Sequence, residues 1–145
     1  MSREMKIAAT LENMEPVLSF LNQALAEYGV SRGTRIKFDV AVEELFVNIA
    51  SYAYAPDTGD AMIRAEFDGE MVSITLEDWG RPYNPLEKPD PDTTLSADER
   101  PIGGLGVYMV KESMDDVHYV RKDGRNCITI RKGRGESKEN GPPTS

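Results

Sequence analysis

Apolar residues recur at helical spacing in three stretches of the chain. In residues 15–28 they stand three and four positions apart, which indicates a helix with one buried face, and Gly29 then fits a helix end. A longer helical pattern covers residues 31–54 and stops at the turn sequence that begins with Ala55. The third pattern is shorter and covers residues 105–114.

Strand patterns account for most of the remaining apolar positions. A short first strand is expected at residues 6–11, and two more at 61–67 and 72–77, joined by the tight turn Asp68-Gly69-Glu70. Residues 115–121 and 126–132 predict a second hairpin. The order β-α-α-β-β-loop-α-β-β predicts an α+β fold. We expect a two-layer α/β sandwich in which helices cover one face of a mixed, mostly antiparallel sheet.

Two segments interrupt these patterns. Residues 81–100 carry four prolines among charged and hydroxyl residues, and a loop of this length is typically a functional lid or disordered. Residues 133–145 are polar and rich in glycine and proline, which predicts a disordered tail. We therefore expect one domain over residues 1–132, with a lid at about 81–102, and a tail at 133–145.

Composition excludes several classes of function. The net charge of −8 leaves no basic footprint outside the tail, so no nucleic-acid partner is expected. No apolar run reaches the ~20 residues of a membrane helix. The N-terminus also lacks the apolar core of a secretory signal, so we expect a cytoplasmic protein with no membrane partner. The single cysteine and single histidine argue against a zinc centre and a Ser-His-Asp triad.

Within the long helical pattern, Glu44 and Asn48 lie one turn apart. At 100° per residue both fall at the rim of the apolar stripe, whereas Glu43 points away. A carboxylate can take a proton from an attacking hydroxyl, and an amide oxygen suits a Mg²⁺ ion that keeps waters and phosphate oxygens as ligands. In isolation, such a pair is more often only the polar edge of an amphipathic helix.

Two further segments carry candidate chemistry. Asp78 stands at the end of a strand, where an ionised carboxylate accepts hydrogen bonds and so favours the amino group of adenine over guanine. Gly80 allows the backbone to approach a neighbour closely. Gly103-Gly104-Leu105-Gly106 opens a helix, and backbone amides at a helix start bind anions such as phosphate. Either segment alone is more often a structural turn.

Together these segments resemble the ATP-binding Bergerat fold of the GHKL superfamily, and in particular the small bacterial anti-sigma factor serine/threonine-protein kinases. Residues 44–54 are similar to the N box of that family, 78–85 to its first glycine box, and 103–110 to its second glycine box. Residues 123–130 resemble its closing hairpin. The resemblance extends over residues 6–132.

The resemblance implies a site for ATP and Mg²⁺. Asn48 would ligate Mg²⁺, Glu44 would be the general base, and Asp78 would bind adenine beside Gly80. Tyr83 belongs to the first glycine box and would contribute to the same nucleotide site. The resemblance also implies that one residue, Thr129, lies near the adenine. The residues that would bind the phosphates are Gly103, Gly104, Leu105 and Gly106.

The implied function is an ATP-dependent anti-sigma factor and serine/threonine-protein kinase. Its substrate would be an anti-anti-sigma (STAS) protein, and it would also sequester a sigma factor. Relatives of this kind often form homodimers, for which the first strand offers an edge. A nucleotide-gated binding module without kinase activity is the alternative, because Pro101 and Ile102 stand where some members carry an arginine. A slow ATP hydrolase is a third hypothesis.

Overall fold

The computed structural model of the chain describes residues 1–87 and 105–135. Its sheet and helix layers are built from five strands and three longer helices. The strands are β1 Ser2–Ala8, β2 Asp60–Phe67, β3 Met71–Asp78, β4 Asp116–Lys122 and β5 Arg125–Gly133; the helices are α1 Met14–Glu27, α2 Arg32–Asn48 and α3 Leu105–Ser113. Among the described residues, no helix is both long and apolar enough to cross a bilayer.

The five strands form one sheet in the order β1-β2-β3-β5-β4. All four pairings between the described strands are antiparallel. The predicted α+β sandwich is therefore confirmed, and its sheet is more regular than the mixed sheet that we expected. In the β2–β3 hairpin, the Asp68 carboxylate accepts hydrogen bonds from the amides of Glu70 and Met71 at 2.9 and 2.8 Å.

The core lies between the helices and one face of the sheet. Alternation along β3 directs Val72, Ile74 and Leu76 toward the helix layer, where all three are buried. They share this core with Phe38 and Phe46 of α2, both fully buried. Because this face of the sheet is apolar and the helices cover it, burial of apolar surface holds the two layers together.

Helix α2 is the element that positions the candidate site. It begins after Ser31, whose hydroxyl accepts a hydrogen bond from the Thr34 amide at 3.3 Å, as a helix N-cap does. After Asn48 it continues as a π-helical turn, Ile49–Ala53. Turns of this kind are frequent at functional sites. Helix α2 and this π-helical turn together span the long helix predicted at residues 31–54 almost to its end.

The structure corrects one strand and extends another. The first strand runs over Ser2–Ala8 rather than residues 6–11, because Met5 and Ile7 are the residues that pack against the core. Strand β5 includes Gly133, and the Arg134 amide donates to the Glu70 carbonyl at 3.2 Å, so backbone pairing continues beyond residue 132. Residues 88–104 of the predicted lid region and 136–145 of the predicted tail lie outside the described residues.

Asp115 links the end of α3 to β5. Its amide donates to the Arg131 carbonyl at 2.9 Å, and its carboxylate accepts from the Gly133 amide at 2.9 Å. The Lys132 ammonium lies 3.5 Å from the same carboxylate. The hydrogen bond from Gly133, with a smaller contribution from the charge of Lys132, holds the pKa of Asp115 below its ordinary value.

Replacing Phe38 by alanine should lower the free energy of unfolding by about 3–5 kcal/mol, because it leaves a cavity in the core. The matched control is Ile36→Ala on the same helix, where the side chain is 54% exposed. That change should stay within about 0.5 kcal/mol. Urea denaturation of both variants is the measurement, and equal losses would contradict the assignment of the core.

Asp115→Asn tests the α3–β5 link through its pH dependence. Since the folded-state pKa is lowered, the carboxylate stabilises the fold above its unfolded pKa of about 3.9. This contribution is lost as pH falls through the folded pKa. With the side chain 51% exposed, we expect less than about 1 kcal/mol at pH 7. The wild-type advantage in urea denaturation should begin to shrink as the pH falls below about 3.9 and should vanish below the folded pKa. An advantage that does not change with pH would contradict the link through the carboxylate.

Candidate functional site

A pocket lies where the end of α2 meets the ends of β3 and β5. It holds about 380 Å³ of space, including its open mouth. Three of the predicted site residues, Asn48, Asp78 and Tyr83, line it together. The other walls are largely apolar, and they are formed by Leu45, Ile49, Ala53, Leu76, Pro85, Tyr119, Asn126 and Ile128. A mostly apolar cleft with a few polar groups is the usual form of a site for a small molecule or cofactor.

Asp78 is the buried acid of this pocket, with only 5% of its surface exposed. Its Oδ1 accepts two hydrogen bonds, from the Gly80 amide and from the Asn126 side-chain amide, each at 2.9 Å. Its Oδ2 receives no hydrogen bond within the described part of the chain. The carboxylate is thus fixed through one oxygen and retains acceptor capacity on the other.

Gly80 brings the first glycine box against the π-helical turn. A Cβ at this position would lie 2.7 Å from the Cβ of Ala53 and closer still to its carbonyl oxygen. The Arg81 amide donates to that carbonyl at 3.1 Å, and Arg121 donates to the Gly80 carbonyl at 2.8 Å. Any larger residue at position 80 would therefore push Asp78 away from α2.

Asn126 is a site residue that the sequence reasoning missed. The antiparallel register places it directly opposite Asp78. Its Nδ2 also donates to the Arg81 carbonyl at 2.8 Å, and its Oδ1 accepts from the Tyr83 amide at 3.2 Å and from the Tyr119 hydroxyl. The signal was available, since Asn126 is the polar member of an alternating row that continues with the core residues Ile128 and Ile130.

Thr129, which we predicted to lie near the adenine, is not among the residues that line the pocket. Thr129 pairs with Thr75, and the two hydroxyl oxygens are 3.0 Å apart. Successive side chains of a strand point to opposite faces, so Thr129 lies on the face of the sheet opposite Asp78 and Asn126. Thr129 thus belongs to the strand that contributes Asn126 to the pocket, but its side chain lies on the other face.

Glu44 lies outside the lining of the pocket and packs against the first turn of α3. A Cβ built on Gly106 would overlap the Glu44 carboxylate, so glycine at this position allows the two to touch. Since α3 begins at Leu105, this carboxylate stands beside amides at a helix N-terminus, where negative charge is favoured. Asn48 follows one helical turn later, at the end of α2.

The remaining predicted residues divide into two groups. Tyr83 lines the pocket, and its ring lies 6.2 Å from that of Tyr52 at an angle of 53°. Leu105 opens α3. Gly103 and Gly104 lie outside the described residues, as does the side chain of Leu105. The structure therefore brings Asn48, Asp78 and Tyr83 to one pocket. Gly80 lies beside Asp78 and against Ala53, and Glu44 lies with Gly106 at the start of α3.

The side chains of this site suit a Mg²⁺ ion that takes some of its ligand atoms from a bound nucleotide. Among residues 1–87 and 105–135, no cluster of three or more His, Cys, Asp or Glu side chains could hold a metal ion alone. Asn48 lines the pocket and can offer an amide oxygen, whereas the amide oxygen of Asn126 already accepts from Tyr83 and Tyr119. Mg²⁺ commonly keeps several waters and phosphate oxygens and takes only one or two protein ligands, so the residues fit a magnesium-nucleotide complex.

Comparisons with known proteins agree with this geometry. A sequence model of the histidine kinase-like ATPase domain matches residues 7–132. The chain is 28% identical to the serine-protein kinase RsbW of Bacillus cereus (strain AH187), over 98% of this chain and 92% of that protein. It is 24% identical to the serine/threonine-protein kinase BtrW of Bordetella bronchiseptica, over 87% of this chain and 89% of that protein.

A solved structure shows the same fold. It contains the RsbU and RsbW domains of Rv1364c from Mycobacterium tuberculosis, and it matches this chain with a TM-score of 0.64 at 18% identity. The match covers 91% of this chain and 32% of that longer one, so the present chain spans about a third of its length. With the N box, both glycine boxes and the closing hairpin inside the matched residues, the chain belongs to the histidine kinase-like ATPase domain family, the GHKL group that its motifs resemble.

Proposed function

We propose that this protein is an ATP-dependent serine/threonine-protein kinase of the anti-sigma factor type, acting in the cytoplasm. Its substrate is an anti-anti-sigma protein of the STAS type, and it also sequesters a sigma factor. The observation that carries the proposal is the contact between the Glu44 carboxylate and Gly106 at the start of α3. This contact sets a proton acceptor beside backbone amides that suit phosphate.

In this proposal ATP binds with its adenine in the pocket and its phosphates toward α3. The free Oδ2 of Asp78 accepts a hydrogen bond from the adenine amino group, and the apolar walls pack against the ring. Guanine carries a carbonyl at the equivalent position, so it would face the carboxylate with a second acceptor. The amides of the second glycine box, including that of Gly106, then bind the phosphates.

The chemical step transfers the γ-phosphoryl group to a serine or threonine hydroxyl of the partner. Glu44 takes the proton of that hydroxyl as its oxygen bonds to the γ-phosphorus. The bond from phosphorus to the bridging oxygen breaks, and ADP leaves. When bound, Mg²⁺ supplies positive charge that offsets the charge of the phosphates, and Asn48 would hold it through the amide oxygen. Most of the catalysis then comes from positioning.

The assignment of the partner is supported by the relatives. Those reported above are named serine-protein and serine/threonine-protein kinases and match this chain over most of its length. This supports a protein hydroxyl as the acceptor. The kinase then requires a protein partner that presents its hydroxyl to Glu44, at the junction of α2 and α3.

Glu44→Gln should lower phosphoryl transfer to a purified STAS protein of the source organism by about 10²–10⁴-fold, because the amide cannot accept the proton. The affinity for Mg-ATP should change by less than about threefold, since Glu44 lies outside the adenine pocket. Transfer is followed with γ-labelled ATP, with mass spectrometry to locate the phosphoserine or phosphothreonine. Glu43→Gln is the matched control, because Glu43 is exposed on the same turn.

The results of this experiment distinguish a kinase from a binding module and from an ATP hydrolase. Normal transfer by Glu44→Gln would remove the general-base role. ATP-dependent capture of the partner by wild-type protein, with no phosphate on it, would instead make the chain a nucleotide-gated binding module. Rapid ATP turnover in the absence of any partner would indicate an ATP hydrolase.

Gly106→Ala should reduce transfer by about 10²-fold, since a misplacement of about 1 Å can have that cost. The nearest atoms that the added methyl group would meet belong to the carboxylate end of Glu44, which can swing aside, so the melting temperature should hardly change. Gly133→Ala is the control, because a Cβ there would meet only Asp115 Oδ2, at 3.9 Å. Full activity in Gly106→Ala would contradict the proposed use of the Glu44–Gly106 contact.

A further inference from the structure

Asn126 contacts the buried acid of the pocket, Asp78, through its side-chain amide. We infer that Asn126 is a positioning residue that sets the base specificity of the nucleotide site by fixing which oxygen of Asp78 a ligand meets. The inference rests on the proposed ATP site. Its basis is a set of four hydrogen bonds that leave the Asn126 amide a single orientation.

A side-chain amide has two N–H donors and an oxygen with two lone pairs. In Asn126 the donors go to Asp78 Oδ1 at 2.9 Å and to the Arg81 carbonyl at 2.8 Å. The oxygen accepts from the Tyr83 amide at 3.2 Å and from the Tyr119 hydroxyl. All four positions are filled, and the residue is 5% exposed, so the amide cannot turn to offer a different group to a ligand.

This arrangement determines what Asp78 presents. Oδ1 already holds two donors, from Asn126 and from the Gly80 amide, so a ligand meets Oδ2. A base that brings an amino group there gains a charge-assisted hydrogen bond. A base that brings a carbonyl oxygen sets two acceptors against each other and leaves a buried carboxylate oxygen unpaired, which is costly.

The same amide also holds the loop that leaves β3. Its hydrogen bonds to the Arg81 carbonyl and the Tyr83 amide fix the chain immediately after Gly80. Losing Asn126 would therefore free Asp78 to rotate and would loosen the adjacent backbone. Selection among bases should suffer more than nucleotide binding in general, because the phosphate contacts lie elsewhere, on α3.

The test is calorimetric titration of the full chain with Mg-ATP and Mg-ITP, since inosine carries a carbonyl where adenosine carries the amino group. Wild-type protein should prefer ATP by at least about tenfold. In Asn126→Ala that ratio should fall by at least about fivefold, mainly through weaker ATP binding. Thr129→Val on the opposite face of β5 is the matched control and should keep the wild-type ratio.

A second variant keeps the test decisive if alanine at 126 weakens the fold. In Asn126→Asp the new carboxyl faces Asp78 on β3, Tyr119 and Arg121 on β4, and the loop residues Arg81 and Tyr83. Ionised, it has no proton for Asp78 Oδ1 and repels it; protonated, it can donate again. ATP affinity of this variant relative to that of wild type should therefore rise as the pH is lowered and the new carboxyl takes up a proton.

Equal affinity of wild-type protein for ATP and ITP would overturn the inference, as would an unchanged ratio in Asn126→Ala. A purely structural role would weaken both nucleotides alike and give no recovery at low pH. Because these readouts measure binding alone, failure of the kinase proposal would appear separately, as absent phosphoryl transfer with ATP selection intact.

Discussion

The functional region depends on how closely two glycine segments approach the last turns of helix α2. Gly106 lies against the Glu44 carboxylate, and Gly80 lies against the backbone of Ala53 in the π-helical turn that follows α2. Neither contact leaves room for a Cβ. Because these two glycines have no side chain, α3 can lie close to Glu44, the proposed proton acceptor. In the same way, the loop after β3 can hold Asp78 close to the end of α2.

The sheet fixes the other half of the site. Antiparallel pairing of β3 and β5 places Asn126 opposite Asp78 on the face toward the helices. On the opposite face the preceding residue, Glu77, is 3% exposed and is held at 2.8 Å by both Arg64 and Arg125. A buried carboxylate needs such partners. The end of β3 is therefore held from both sides, which keeps Asp78 directed into the pocket.

Periodicity in the sequence was enough to predict the elements and part of the site. The apolar stripe of α2 identified Glu44 and Asn48 as rim residues, and the strand before Asp78 located the buried acid, because these features depend on local spacing. Thr129 lies on the face away from the pocket, because a strand changes face at every residue and motif similarity alone does not give that register. Asn126 was missed because its role depends on pairing between β3 and β5, which are 48 residues apart at this point.

The most direct test is an experimental structure of the full chain with Mg²⁺ and a non-hydrolysable ATP analogue. We expect the adenine amino group within hydrogen-bond distance of Asp78 Oδ2, and Mg²⁺ on the Asn48 amide oxygen. The γ-phosphate should lie at the start of α3, beside the Glu44 carboxylate. An analogue bound with its base away from Asp78, or with its phosphates away from the α2–α3 junction, would contradict the account.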